Sequence, residues 1–197
     1  GGVGGILGKL PVGAVMIGHE GLEEYLKAFG NKPAVRKEKY AIMQAGSEIT
    51  LDGVKIKVIY APDKNMLNGG TGNEFSNLIK VSYGNHSFLF TGDLTAEHEK
   101  TLAEENRELK STVLKVAHHG SNTSSSEAFL RKVSPRWSVI SVGYGNTFGH
   151  PNAEVLDRLR NCTDSKILRT DENGAIVFFT DGENLRVDTQ IMYDDKR

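Results

Sequence analysis

Cysteine is nearly absent from this sequence: Cys162 is the only one in 197 residues. An internal disulfide needs two thiols and a thiolate metal cluster needs several, so both are excluded. Cys162 follows "VLDRLR", where a packed or half-exposed residue at a helix end is the plain reading. Long apolar runs are missing too. None approaches the roughly 18 residues of a membrane-spanning helix. The opening "GGVGGILGKL" has neither a charged start nor a cleavage pattern, so a chain soluble by itself is expected. There is no excess of one charge either: 24 Lys and Arg face 25 Asp and Glu, a formal net charge of −1. That excludes the global basic footprint of many nucleic-acid binders but leaves room for a local basic groove. No G-x-S-x-G elbow occurs, which argues against a Ser-His hydrolase. Repeats, low-complexity tracts and linkers are absent, and an apolar content of 38% suffices for one domain over 1–197.

Apolar runs alternate with polar, capped segments. "VGAVMIG" reads as a short buried strand, and "GLEEYLKAFG" as a helix with Leu22, Tyr25, Leu26 and Phe29 on one face. "EITLDGVKIKVIYAP" and "SNLIKVSYGNHSFLFTGD" read as hairpins turning at "LDGV" and "YGNH". "SFLF" is apolar on both faces, as in a buried central strand. "TAEHEKTLAEEN" reads as a helix capped by Thr95, with acids near its start. There follow strand "STVLKVAHHG", helix "SSEAFLRKV" with a capping box from Ser124 to Glu127, strand "RWSVISVG", and helix "NAEVLDRLRN" capped by Asn152. "KILRTDENGAIVFFTDGENLRV" reads as antiparallel strands joined at "DENG" and "TDGEN". The order predicts an α/β or α+β class with a mixed sheet and outer helices. "APDKNMLNGGTGNEFS" is the longest irregular stretch, and loops of that length often carry function.

Three motifs share one placement. "FLFTGD" ends a strand at Asp93, "LKVAHHG" ends a strand at His118 and His119, and "SVGYGNTFGH" follows a strand and ends at His150. The carboxyl ends of parallel strands gather on one edge of a sheet. One carboxylate and three imidazoles collected there have the donor chemistry of a divalent-metal site, suited to Zn²⁺ or Mn²⁺. Gly92 and Gly120 beside them permit close backbone approaches. His19, His86 and His98 fall in a loop, a turn and a helix, and read as structural or solvated.

In this order and spacing, "FLFTGDL", "LKVAHHGSNTSSSEAFL", "ISVGYGNTFGHPNAEVLDRL" and "RTDENGAIVF" resemble the metallo-β-lactamase-fold domain of ComEC-type competence proteins. The resemblance covers nearly the whole chain. It implies a metallo-β-lactamase-like αββα sandwich, helices outside, with a dinuclear site of two divalent metal ions (Mn²⁺ or Zn²⁺) on one edge. Asp93 would bridge the metals. One of His118 and His119 would be a ligand, with a leaning to His119, and its neighbour would lie behind it or on the substrate. His150 would approach the substrate phosphate or leaving group. Asn73 stands where other branches of the superfamily place a further ligand histidine. The superfamily's H-x-H-x-D-H motif is not present. "GGVGGILGKLPVGAVMI" matches the residues just after it, so the first strands and most ligands are expected to be missing from this chain.

The implied activity is metal-assisted cleavage of DNA, single-stranded or duplex, during natural transformation. Two cations lower the pKa of a bridging water and clamp phosphate oxygens in such sites. Asp93, His119 and His150 would carry the catalysis. Ser121, Asn122, Thr123, Lys115 and His150 would meet the substrate, and Lys115, Arg131, Lys132 and Arg136 flank the "HHGS" loop as candidates for holding the DNA backbone. The implied setting is a soluble extracytoplasmic domain of a bacterial cell-membrane protein, partnered by the membrane channel part of the same full-length protein. Two alternatives remain open: a DNA- or partner-binding module with a vestigial metal site, and a hydrolase of a phosphocholine ester or a lactone.

Overall fold

The computed structural model describes residues 12–18, 40–62, 72–105 and 107–191, together with residues 6, 9, 10 and 27. The helix expected over 21–30 (Lys27 apart), His19, and most of the long irregular stretch lie outside the described residues. The strand expected in "VGAVMIG" is Val15–Ile17 (β1), paired in parallel with Tyr40–Ile42 (β2) as a small separate sheet. β2 carries no alternation of its own long enough to be read from the sequence.

The main sheet has seven strands. Glu48–Leu51 (β3) and Val54–Tyr60 (β4) form the first hairpin, and Leu78–Tyr83 (β5) and His86–Phe90 (β6) the second. From β6 the chain changes habit. Ala96–Glu104 (α1) leads to Val113–Lys115 (β7), Glu127–Val133 (α2) to Trp137–Ile140 (β8), and Ala153–Cys162 (α3) to Lys166–Arg169 (β9). The strands lie in the order β3-β4-β5-β6-β7-β8-β9. β3 to β6 pair antiparallel, and β6 to β9 parallel. Tight turns join β3 to β4 and β5 to β6, and residues 61–77 join β4 to β5, whereas parallel neighbours need a crossover helix.

Register shows which face each residue serves. Leu89, Leu114, Ser138 and Ile167 stand in one row across β6 to β9. That face receives the helices: Leu89 and Leu114 pack with Leu102 of α1, Phe129, Leu130 and Val133 of α2, and Val155 and Leu159 of α3. The opposite face carries Phe88, Val113 and Trp137 in one row and Phe90, Lys115 and Val139 in the next. A helical turn, Thr170–Asn173 (α4), carries the chain from β9 to the hairpin Ile176–Thr180 (β10) and Leu185–Thr189 (β11). This hairpin covers part of that second face, with Phe178 edge-on to Phe88 (5.8 Å) and Trp137 (6.0 Å). Its tip docks on the β5–β6 turn, where Asn85 N–H donates to Gly182 O at 2.7 Å. Gly84 permits that approach, since a Cβ there would stand 2.3 Å from Gly182 O. Among the described residues no helix is long and apolar enough to cross a membrane.

Several local expectations need correction. "SFLF" is central in the sheet but not buried on both faces: Leu89 is fully enclosed, while Phe90 is 44% exposed because the hairpin does not reach its row. "DENG" does not join antiparallel strands. β9 belongs to the parallel edge, and α4 passes the chain to the second sheet, where only "TDGEN" makes a hairpin turn. The caps Thr95 and Asn152 are right in position and wrong in chemistry, and the N-cap of α2 is Ser126 rather than Ser124. The Thr95 hydroxyl bonds His98 Nδ1 (2.9 Å), and Asn152 Oδ1 accepts from Asn122 N–H (2.8 Å). Ser124 donates to the carbonyls of Ala117 (3.1 Å) and Ser121 (2.9 Å), so it forms no capping box with Glu127. The N–H groups before α2 go to a distant carboxylate, Glu99, from Ser125 (2.9 Å) and Ser126 (2.5 Å). A carboxyl group offers two acceptor oxygens and so serves both N–H groups at once, which a single hydroxyl does not.

Candidate active site

The loops after β6, β7 and β8 meet at the carboxyl edge of the parallel strands. Thr91 donates its hydroxyl proton to Lys115 O (2.8 Å), and His118 N–H donates to Gly92 O (3.1 Å), so the first two loops are stitched together. Asp93 is held by its own N–H, which donates to Ser76 Oγ at 2.9 Å. His118, His119 and Gly120 then take left-handed φ values of 49°, 55° and 81° in succession. For glycine this is ordinary. For the two histidines it costs on the order of 1–3 kcal/mol each and persists only where surroundings over-determine it. Those surroundings are visible. Ser121 N–H returns to His118 O (2.8 Å), Ser124 ties Ala117 and Ser121, and Glu99 anchors Ser125 and Ser126. Gly120 is also required by space, because a Cβ there would lie 2.6 Å from the Pro151 ring.

The hydrogen bonds distinguish the two histidines. His119 Nδ1 lies 2.6 Å from Ser141 O. A carbonyl only accepts, so Nδ1 carries the proton and Nε2 keeps its lone pair. That Nε2 stands 3.8 Å from Asp93 Oδ1. A ring N–H pinned by a backbone carbonyl is the usual support of a metal-ligating histidine, and here the other nitrogen is on the side of Asp93. His118 is engaged on both sides. Its Nε2 lies 3.4 Å from Asn73 Nδ2, an amide group that only donates, and its Nδ1 lies 3.3 Å from Thr123 Oγ1. The His118 and His119 ring centroids are 6.4 Å apart, and His118 and His150 are 5.8 Å apart. His150 Nδ1 is buried without a hydrogen-bond partner among the described residues.

The donor chemistry therefore suits a divalent cation, but the donor number does not complete a site. Asp93 Oδ1 and His119 Nε2 converge, and among the described residues no three His, Cys, Asp or Glu side chains are grouped to hold a metal. Catalytic zinc sites take three protein ligands. The expected ligand set of Asp93, His118, His119 and Asn73 is gathered in space, yet His118 Nε2 is taken by Asn73 Nδ2 and its Nδ1 by Thr123.

The other expected residues divide. Thr123 is exposed and bonded to His118, whereas Ser121 is buried and shares a hydrogen bond with Thr123 (3.0 Å). Asn122 is exposed, its N–H held by Asn152. Lys115 is half-buried beside the site and donates to Val116 O (3.2 Å). Burial pulls its ammonium below the usual lysine range, and the charge of Asp93 opposes that pull. Arg131, Lys132 and Arg136 need correction. They flank the loop in sequence, but α2 runs away from the site edge, so the last turn of α2 and the start of β8 place them at the opposite end of the sheet. The cation that touches the loop is Arg158 of α3, donating to Ser124 O (2.9 Å) and Asn122 O (3.4 Å). His86 and His98 are structural, as expected: His86 Nε2 donates to Glu183 O (3.0 Å), and His98 Nδ1 meets Thr95. Glu99, Arg158 and Ser141 escaped sequence reading because nothing local to them signals the loop they support.

The chain is 39% identical to the competence protein ComA of Neisseria gonorrhoeae over 128 residues, 64% of this chain and 18% of ComA. It is 33% identical to ComE operon protein 3 of Bacillus subtilis over 149 residues, 74% of this chain and 18% of that protein. It is 43% identical to Recombination protein 2 of Haemophilus influenzae over 88 residues, 44% of this chain and 11% of that protein. The chain thus spans less than a fifth of the relatives it matches. The profile of the metallo-beta-lactamase superfamily matches residues 1–144, a span that takes in Asp93, the His118–His119 turn and its Ser141 anchor, and the chain belongs to that superfamily.

Proposed function

We propose that this chain is the hydrolytic domain of a DNA-uptake protein, a metal-dependent phosphodiesterase acting on DNA. The observation that carries this reading is the Asp93–His119 pair: a carboxylate and a lone-pair nitrogen, 3.8 Å apart, at the carboxyl edge of parallel strands on a strained turn. Asp93 and His119 would be the donors toward Mn²⁺ or Zn²⁺, and among the described residues only these two converge. The chain's own residues prepare the site. Ser141 fixes the His119 tautomer, Asn73 and Thr123 orient His118, and Lys115 and His150 would meet a substrate phosphate. The names of the relatives support the DNA-uptake setting. With it come an extracytoplasmic location on a bacterial cell membrane and a partner in the membrane channel part of the same protein.

The test is cleavage of labelled single-stranded and duplex DNA with Mn²⁺, Zn²⁺ or a chelator, comparing the protein with Asp93→Ala. Metal-dependent cleavage that the variant loses supports the reading. A folded protein inert with every metal, or a variant that cleaves equally well, refutes it. The second reading, a DNA-binding module with a vestigial site, is favoured by the shortage of converging donors. It predicts salt-dependent DNA retention without cleavage.

A further inference from the structure

Beside the histidines lies a cleft of about 400 Å³ with a wall that hydrolysis does not require. One side is the loop between β8 and α3, locked from within by Asn146. Its Oδ1 accepts from the N–H of Phe148 (3.2 Å) and His150 (3.0 Å), and its Nδ2 donates to the carbonyls of Gly143 (3.2 Å) and His150 (2.6 Å). A loop held this firmly nevertheless turns its largest apolar side chains outward: Phe148 is 78% exposed and Tyr144 92%. The Phe148 ring lies nearly parallel to His150, at 19° and 6.0 Å, and so presents a flat, oriented face at the mouth of the cleft. Among the described residues the lining, which includes His119, Asn146, Phe148, His150 and Thr170, contains no Asp, Glu, Lys or Arg. A neutral, aromatic-walled cleft receives a flat uncharged ring better than a phosphate, and it adjoins the Asp93–His119 pair through His119 itself.

We propose that Phe148 is a stacking platform for a nucleobase of single-stranded nucleic acid, holding the strand beside the Asp93–His119 pair, with Tyr144 as a second ring on the same loop. This rests on the phosphodiesterase reading for its substrate class. Bases inside a duplex are already stacked on one another, so the platform selects unpaired strands. Asn146 is the positioning residue that keeps the ring in place.

The test is fluorescence anisotropy with a labelled oligothymidylate of about 12 nucleotides, within the usual length bound by one single-strand module. An abasic strand of equal length and charge and a duplex serve as comparisons, with binding measured in an Asp93→Ala background to prevent cleavage. Phe148→Ala weakens oligothymidylate binding by about 10-fold, as expected for loss of one base–aromatic stack, and leaves abasic-strand binding unchanged, while Phe148→Trp retains affinity. Equal losses on both strands, no loss on oligothymidylate, or no binding by the parent protein overturns the proposal. Because Phe148 is exposed, an unchanged melting curve verifies folding. Phe148-dependent binding by a protein that cleaves no DNA leaves the platform standing and removes the phosphodiesterase reading. Cleavage indifferent to Phe148 does the reverse.

Discussion

Glu99→Gln removes a carboxyl group that is fully buried and that accepts the N–H groups of Ser125 and Ser126, at the end of the turn bearing both histidines. Burial pushes this carboxyl up from 4.5 to about 7, against the pull of those N–H groups and of Arg158. The folded protein therefore keeps a proton on Glu99 up to about pH 7, whereas the unfolded chain releases it near 4.5. Between these values the folded state binds more protons, so this contribution to stability is full below 4.5 and is lost as pH rises through about 7. The difference corresponds to about 3 kcal/mol. Glutamine cannot titrate. It also turns an NH₂ group toward one of the two N–H groups, which costs about 1–3 kcal/mol at every pH. That offset cancels when the wild-type-minus-variant difference is compared at two pH values. From about pH 4 to about pH 8 the variant gains about 3 kcal/mol relative to wild type. In urea denaturation this moves the relative midpoint by about 1–3 M, given slopes of about 1–3 kcal/mol/M. A difference that stays constant across this range would mean that Glu99 titrates alike in both states, and the account of a buried, raised carboxyl would be wrong.

Three further outcomes are expected. Phe129→Ala, at a fully buried position between α2 and the sheet, costs about 3–5 kcal/mol by chemical denaturation. Gly84→Ala drives a Cβ into Gly182 O and destabilises the protein by about 1–3 kcal/mol. Hydrogen exchange checks the mechanism, since the Asn85 N–H that donates to Gly182 O exchanges faster in the variant. Long-range ¹H–¹⁵N correlation of the neutral imidazoles shows His119 protonated on Nδ1, the nitrogen bonded to Ser141 O. A proton found on Nε2 instead removes the case for His119 as a donor facing Asp93.

Much of the fold was legible because its signals are local. The turn "LDGV" and alternation in "VKIKV" place β3 and β4 where they stand, and "YGNH" does the same for β5 and β6. What failed depended on partners distant in sequence. The Ser124–Glu127 spacing fits a capping box, but Glu99 arrives from 26 and 27 residues away and takes the N–H groups. "DENG" looks like a hairpin turn, but the open edge beside β8 captures β9 in parallel. Arg131, Lys132 and Arg136 are near the histidines along the chain, yet a helix seven residues long carries them to the far end of the sheet.

The candidate site divides in the same way. That Asp93, His118, His119 and His150 follow strands was determined by sequence alone, because a side chain at a strand end is fixed by its immediate neighbours. From the sequence, only the family resemblance gave a leaning to His119 over His118. Tertiary structure separated them: Ser141 O, 22 residues along, accepts a hydrogen bond from His119 Nδ1–H and leaves Nε2 toward Asp93, while Asn73, 45 residues away, occupies His118. A lone pair becomes available only when another group claims the proton, and that group is supplied by the fold.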